Sequence, residues 1–192
     1  PTTLRGSVIR IDPDGGEPYA IPDDNPFVDG GGAPQVYAYG FRNPFRVAWL
    51  DGVGLLVADP KFTSKDQDVH LGAAGNDHGW PRLPRAIVGS SCYPDDATEP
   101  DPACLEGPDG QAWTPPVVEY GTDVGRIVSG VAVYSGDIET LTGKVIVADW
   151  QGAMLAATPG AADERWLTER LHVTLPDGSV IAGQYLWSLD SD

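Results

Sequence analysis

The chain has 192 residues, with 28 acidic against 12 basic side chains and a formal charge of −16 at pH 7. That surplus repels a phosphate backbone and excludes nucleic acid as a partner. No apolar run approaches the ~20 residues of a membrane helix, so no transmembrane segment is expected.

Taken in order, Arg5–Ile11 alternates polar and apolar residues and runs into Asp12-Pro13-Asp14-Gly15-Gly16, a strand closed by a tight turn. An extended loop over Asp23–Phe27 follows. Gln35–Tyr39 and Arg46–Leu50 read as strands on either side of Gly40-Phe41-Arg42-Asn43-Pro44. Gly54–Asp59 is a continuous apolar run that suits a strand buried on both faces. Asp66–Leu71 is another short strand, and Asn76-Asp77-His78-Gly79-Trp80-Pro81 makes a turn carrying a large aromatic.

Cys92 and Cys104 lie in a turn-rich stretch with no strand or helix pattern. A disulfide would close a loop of ~13 residues, worth about 3 kcal/mol in the chain-entropy model, and would imply an extracytoplasmic location. Two free thiols are the other reading. Zinc is not indicated, because CxxC spacing and a nearby histidine are both absent. Beyond this loop, Val147-Ala148-Asp149 ends a second apolar run in aspartate, as Val57-Ala58-Asp59 does. Ala161–Leu171 is the best helical candidate, and a short one.

Glycine (24 residues) and proline (18) punctuate all of these runs, so the chain reads as all-β, with many short strands. The runs ending in Asp59 and Asp149 are 90 residues apart, which suggests two propeller blades of ~40–45 residues each.

Six co-linear segments resemble the glucose/sorbosone dehydrogenase family: Arg5–Gly15 with Asn25-Pro26-Phe27; Tyr39-Gly40-Phe41-Arg42-Asn43-Pro44-Phe45-Arg46; Val57–Asp59 with Asp68–Trp80; Pro115–Tyr120; Gly130–Gly136; and Leu141–Trp150. The resemblance implies a six-bladed β-propeller of four-stranded antiparallel sheets that binds the quinone cofactor PQQ. The chain is then expected to be a partial propeller over 1–192, about four blades, with the cysteine loop as an insertion around 82–114. The remaining blades would lie outside it, at the N-terminal side and after Asp192.

The family's Arg-Asn pair contacts PQQ, which points to Arg42 and Asn43. A planar guanidinium can hold a carboxylate or quinone oxygen through paired hydrogen bonds, and an adjacent amide both donates and accepts. From the residues alone, Arg42 could equally pair with a blade carboxylate while Asn43 stabilises the turn before Pro44. Arg46 either joins the cofactor pocket or covers the strand surface. The resemblance also implies Ca²⁺ beside PQQ, held partly by backbone carbonyls near Pro60, with Asp59, Asp66 and Asp68 as further oxygen ligands. The alternative is that these aspartates cap turns, and Lys61 opposes a cation there.

Oxidising a sugar hydroxyl needs a general base. The family's catalytic histidine would precede Pro1, so no catalytic residue is assigned here, and His70, His78 and His172 read as structural or exposed. Ser135 stands where the family has a cationic residue. No nucleophile elbow, phosphate-binding loop or dinucleotide fingerprint is present. The implied function is hydride transfer from a small-molecule aldose or related alcohol to PQQ. The alternative is a non-catalytic secreted propeller that binds glycan or protein.

Overall fold

A computed structural model describes residues 1–61, 66–80, 110, 112–161, 164–174 and 176–179. Cys92 and Cys104, most of the expected insertion and the segment from Leu186 onward lie outside the described residues. The described chain gathers into two compact units. One holds Pro1–Pro44 with residues 72–80 and 112–114; the other holds Phe45–Leu71 with the residues after Thr114.

In the first unit, β1 (Ser7–Ile9) pairs antiparallel with β2 (Val36–Tyr39), with a register shift between Val8 and Ile9. Asn25 is buried beneath this ribbon, and its amide donates to the carbonyls of Arg10 and Pro34, both at 2.9 Å. A buried amide that bonds two backbone carbonyls fixes the path of the Asp23–Phe27 loop.

The second unit contains two four-stranded sheets. The first has the order β3 (Arg46–Leu50), β4 (Gly54–Asp59), β5 (Gln67–Gly72), β6 (Val118–Tyr120). The second runs β7 (Val128–Val133), β8 (Val145–Asp149), β9 (Met154–Thr158), β10 (Leu167–Leu171). In both, each strand lies beside its neighbour in sequence. That is the meander from which propeller blades are built.

β7 packs against β3 and β4, and the core between the sheets includes Leu56, Val69, Val118, Val131, Val147 and Leu155. β4 and β8 are the continuous apolar runs of the sequence, and β8 is buried throughout. A strand covered on both faces has no solvent side on which to alternate, so its polar positions disappear.

Two sequence readings change. The described part of Ala161–Leu171 is not helical: Leu167–Leu171 forms β10, paired in register with β9 from Leu167–Thr158 to Leu171–Met154. Four of its five residues are exposed. An outer strand with little buried surface carries no period-two signature, and pairing with the edge of β9 overrides local propensity. The interval from Asp59 to Asp149 is also not two blades. These residues end the second strands of consecutive sheets. The extra length is the excursion over residues 73–117, which leaves β5 and returns as β6 to pair with it.

Candidate functional site

Residues 75–80 run alongside the end of β2. Gly75 N–H donates to Tyr37 O (2.7 Å), Tyr39 N–H to Asn76 O (3.0 Å), His78 N–H to Tyr39 O (2.9 Å) and Trp80 N–H to Gly40 O (2.8 Å). This ladder brings the two aromatic-rich motifs of the sequence together. At its centre Gly40 has φ +79°, and a Cβ there would collide with Asp77 Oδ1 and the amides of His78 and Gly79. Only glycine satisfies both the left-handed backbone and the close approach. Gly79, at φ +86°, lies flat against the Trp113 indole, where a Cβ would overlap the ring. Phe41 is buried, stacks on His78 at 4.3 Å between ring centroids, and donates its N–H to Gly6 O (3.1 Å).

The result is a cavity of about 320 Å³ whose walls include Arg5, Tyr39, Arg42, Asp77, Trp80 and Trp113. That is at the lower end of the ~300–1,000 Å³ usual for small-molecule sites. Arg42 is held with its guanidinium 5.7 Å from the Trp80 ring centroid, within cation–π range. Asp77 Oδ1 accepts from Gly79 N–H at 2.9 Å, so this wall carboxylate is engaged by backbone. The buried Trp113 Nε1–H has no hydrogen-bond partner among the described residues. The cavity thus offers guanidinium groups and flat indole faces, a donor set that fits a planar polycarboxylate such as PQQ.

Asn43 directly follows Arg42 and is half-buried, but it is not part of the cavity wall. Arg46 belongs to the other unit, where its guanidinium lies 4.9 Å from the Phe45 ring centroid on the exposed surface of β3.

The expected metal ligands also lie in the second unit. Phe45 N–H donates to Ala58 O at 2.9 Å and Arg46 faces Ala58, so the start of β3 lies beside Asp59 and Pro60 at the end of β4. Asp59 and Asp68 are both brought to His70: its Nε2 is 3.8 Å from Asp59 Oδ2 and 3.5 Å from Asp68 Oδ2, all three side chains being buried. Burial foremost, then the nearby Lys61 charge, pushes the His70 pKa down to about 3 against the opposing pull of Asp59 and Glu119. The imidazole is therefore neutral at pH 7.

Asp68 Oδ2 is ion-paired with the Lys61 ammonium, and the two side chains are only 1% and 12% exposed. Asp68 Oδ1 is buried with no hydrogen-bond partner among the described residues. Asp66 is half-buried at the start of this segment, and its carbonyl accepts from Gln67 Nε2 at 3.0 Å. Among the described residues, no group of three or more His, Cys, Asp or Glu is placed to hold a metal ion. What Asp59 and Asp68 share is the His70 ring, and Asp68 also holds the Lys61 ammonium.

The feature that sequence reasoning missed is Gln67, buried in β5. Its Oε1 accepts from the Lys61 and Val128 amides, both at 3.2 Å, and its Nε2 donates to the carbonyls of Asp66 and Lys61. The sequence carries little signal for it, since Gln67 stands between Asp66 and Asp68 at the start of a mixed polar and apolar strand.

The family profile described as Glucose / Sorbosone dehydrogenase matches residues 1–174. An uncharacterised protein of Synechocystis is 31% identical over 156 residues, covering 79% of this chain and 31% of that protein. Quinoprotein glucose dehydrogenase B of Acinetobacter calcoaceticus is 32% identical over 81 residues, covering 42% of this chain and 16% of that protein. Among solved structures, the PQQ-bound aldose sugar dehydrogenase of Streptomyces coelicolor superposes with a TM-score of 0.58 at 20% identity, over 88% of this chain and 40% of that one. The chain thus spans under a third of these curated relatives, and the structural likeness carries the fold: the four-stranded antiparallel sheets are propeller blades.

Proposed function

Because this chain belongs to the glucose/sorbosone dehydrogenase family, we propose that it carries the cofactor-holding part of a quinoprotein sugar dehydrogenase. The substrate class is an aldose or related alcohol. PQQ, when bound, would supply a two-electron acceptor for a hydride from such a substrate.

The observation that carries this reading is Arg42, held against Trp80 on the wall of the cavity. Its planar fork pairs with a carboxylate or quinone oxygen, and Trp80 offers a flat face to a planar ring system. Asn43, next in the chain, has an amide that can donate and accept but lies off the cavity wall, so the reading rests on Arg42. Arg46 is assigned to covering the β3 surface, because its guanidinium lies over Phe45. Calcium has no role at Asp59, Asp66 or Asp68 in this reading, since Lys61 is ion-paired with Asp68. The base is a histidine contributed from outside this chain, with the remaining blades. An extracytoplasmic location and a Cys92–Cys104 disulfide complete the proposal.

The test is a titration of PQQ into the full-length apo-protein, followed by the quenching of indole fluorescence, with dye reduction assayed on aldoses. Wild type is expected to bind PQQ saturably. Arg42→Ala should weaken binding at least ~10-fold, corresponding to about 1.4 kcal/mol. Absence of both binding and dye reduction ends the reading. It would favour the second one, a propeller that binds glycan or protein without a quinone.

A further inference from the structure

We propose that Lys61 is a built-in cation, which makes the Asp59–Asp68 cluster independent of divalent metal and closed to it. Lys61 stands two residues beyond the end of β4, and Asp68 is the second residue of β5. Their ion pair is almost wholly withdrawn from water. At such burial the screening that makes surface pairs weak is absent, and an ammonium and a divalent ion compete for the same carboxylate.

The placement of Lys61 is specified by the fold. Both of its backbone polar groups are held by the buried Gln67 side chain: its N–H donates to Oε1 at 3.2 Å, and its carbonyl accepts from Nε2 at 3.3 Å. Gln67 adjoins Asp68 in β5, so one strand fixes the lysine backbone and receives its ammonium. The other carboxylate across the sheet, Glu119, faces Asp68 in register but is engaged by Arg165 at 2.8 Å. Neutral His70 stands close to both Asp59 and Asp68.

Calcium requires six to eight oxygen ligands and tolerates no ammonium among them. Without Lys61, two buried carboxylates would face each other's charge across His70, and Asp68 Oδ1 would offer an oxygen that has no hydrogen-bond partner among the described residues. The lysine is thus the element that decides whether this cluster is an ion pair or a metal site.

The test is thermal unfolding of the full-length protein after EDTA treatment, titrated with CaCl₂, with Tb³⁺ luminescence as a second readout. Wild type is expected to show no Asp68-dependent shift. Lys61→Met should gain Ca²⁺ affinity at least tenfold over wild type, and Lys61→Met/Asp68→Asn should lose it again. A wild-type Ca²⁺ shift that Asp68→Asn abolishes overturns the proposal. So does a folded Lys61→Met that gains no affinity. Should Lys61→Met fail to fold, the comparison of wild type with Asp68→Asn decides alone. No quinone or sugar enters these readouts, so the outcome is separate from that of the PQQ titration.

Discussion

Tyr120 Oη–H donates to Asp149 Oδ2 at 2.9 Å, joining the last strand of one sheet to the second strand of the next. The same oxygen accepts from Ile127 N–H at 2.7 Å, and Oδ1 accepts from Gln151 N–H at 2.9 Å. Burial, and then the negative charge of Asp149, push the Tyr120 phenol far above its ordinary value, so it is a donor at neutral pH. Tyr120→Phe keeps the packing and deletes this donor to a buried carboxylate. Urea unfolding of the variant should show a loss of about 1.5–3 kcal/mol, the range for hydrogen bonds to charged groups.

The cavity beside Arg42 depends on Gly40 through backbone geometry. Gly40→Ala must place a Cβ at φ +79° and against Asp77 Oδ1. The left-handed conformation alone costs about 1–2 kcal/mol, and the collision adds to it. The expected outcome is a fall in thermal midpoint together with weaker PQQ binding. A variant with wild-type midpoint and affinity would show that the 75–80 ladder does not set the cavity.

His70 predicts a pH dependence with a definite sign. Its folded pKa of about 3 lies below the unfolded value of about 6.5. Between these values the unfolded chain binds a proton that the native state refuses. Stability contributed by the neutral imidazole is therefore complete above about pH 6.5 and is lost as pH falls toward 3. The slope it adds is at most about 1.4 kcal/mol per pH unit. His70→Asn should flatten the stability profile between pH 6 and 4 relative to wild type. Asp24, whose carboxyl is held low by the Arg10 guanidinium, contributes equally to both proteins and cancels in the difference.

Much of the fold was legible before any coordinates. Gly54–Asp59 is a strand at the bounds that its sequence pattern indicates, because burial on both faces writes itself into residue type. Arg46–Leu50 is also a strand at its indicated bounds, although three of its five residues are exposed. β10 was not legible, since an exposed strand is specified by its neighbour's free edge and by nothing in its own composition. The candidate site divides along the same line. Arg42 and Gly40 stand out as local chemistry, and the cavity contains both. The pairing of Lys61 with Asp68, and the hold of Gln67 on both sides of the β4–β5 connection, depend on which residues a sheet brings side by side. Spacing along the chain shows an aspartate-rich stretch but does not distinguish a cation site from an ion pair.

The excursion over residues 73–117 has a kinetic consequence. In β7–β10 every strand meets its partner across a short connection, whereas β6 must wait for that whole stretch to return before it can pair with β5. Closing the longer loop costs more chain entropy before any contact repays it, and non-local pairing slows folding. During refolding, pulsed hydrogen exchange should therefore protect the Val147 amide before that of Val118. Tyr120, carried in on β6, then acts as the late latch between a sheet that is already formed and one just completed.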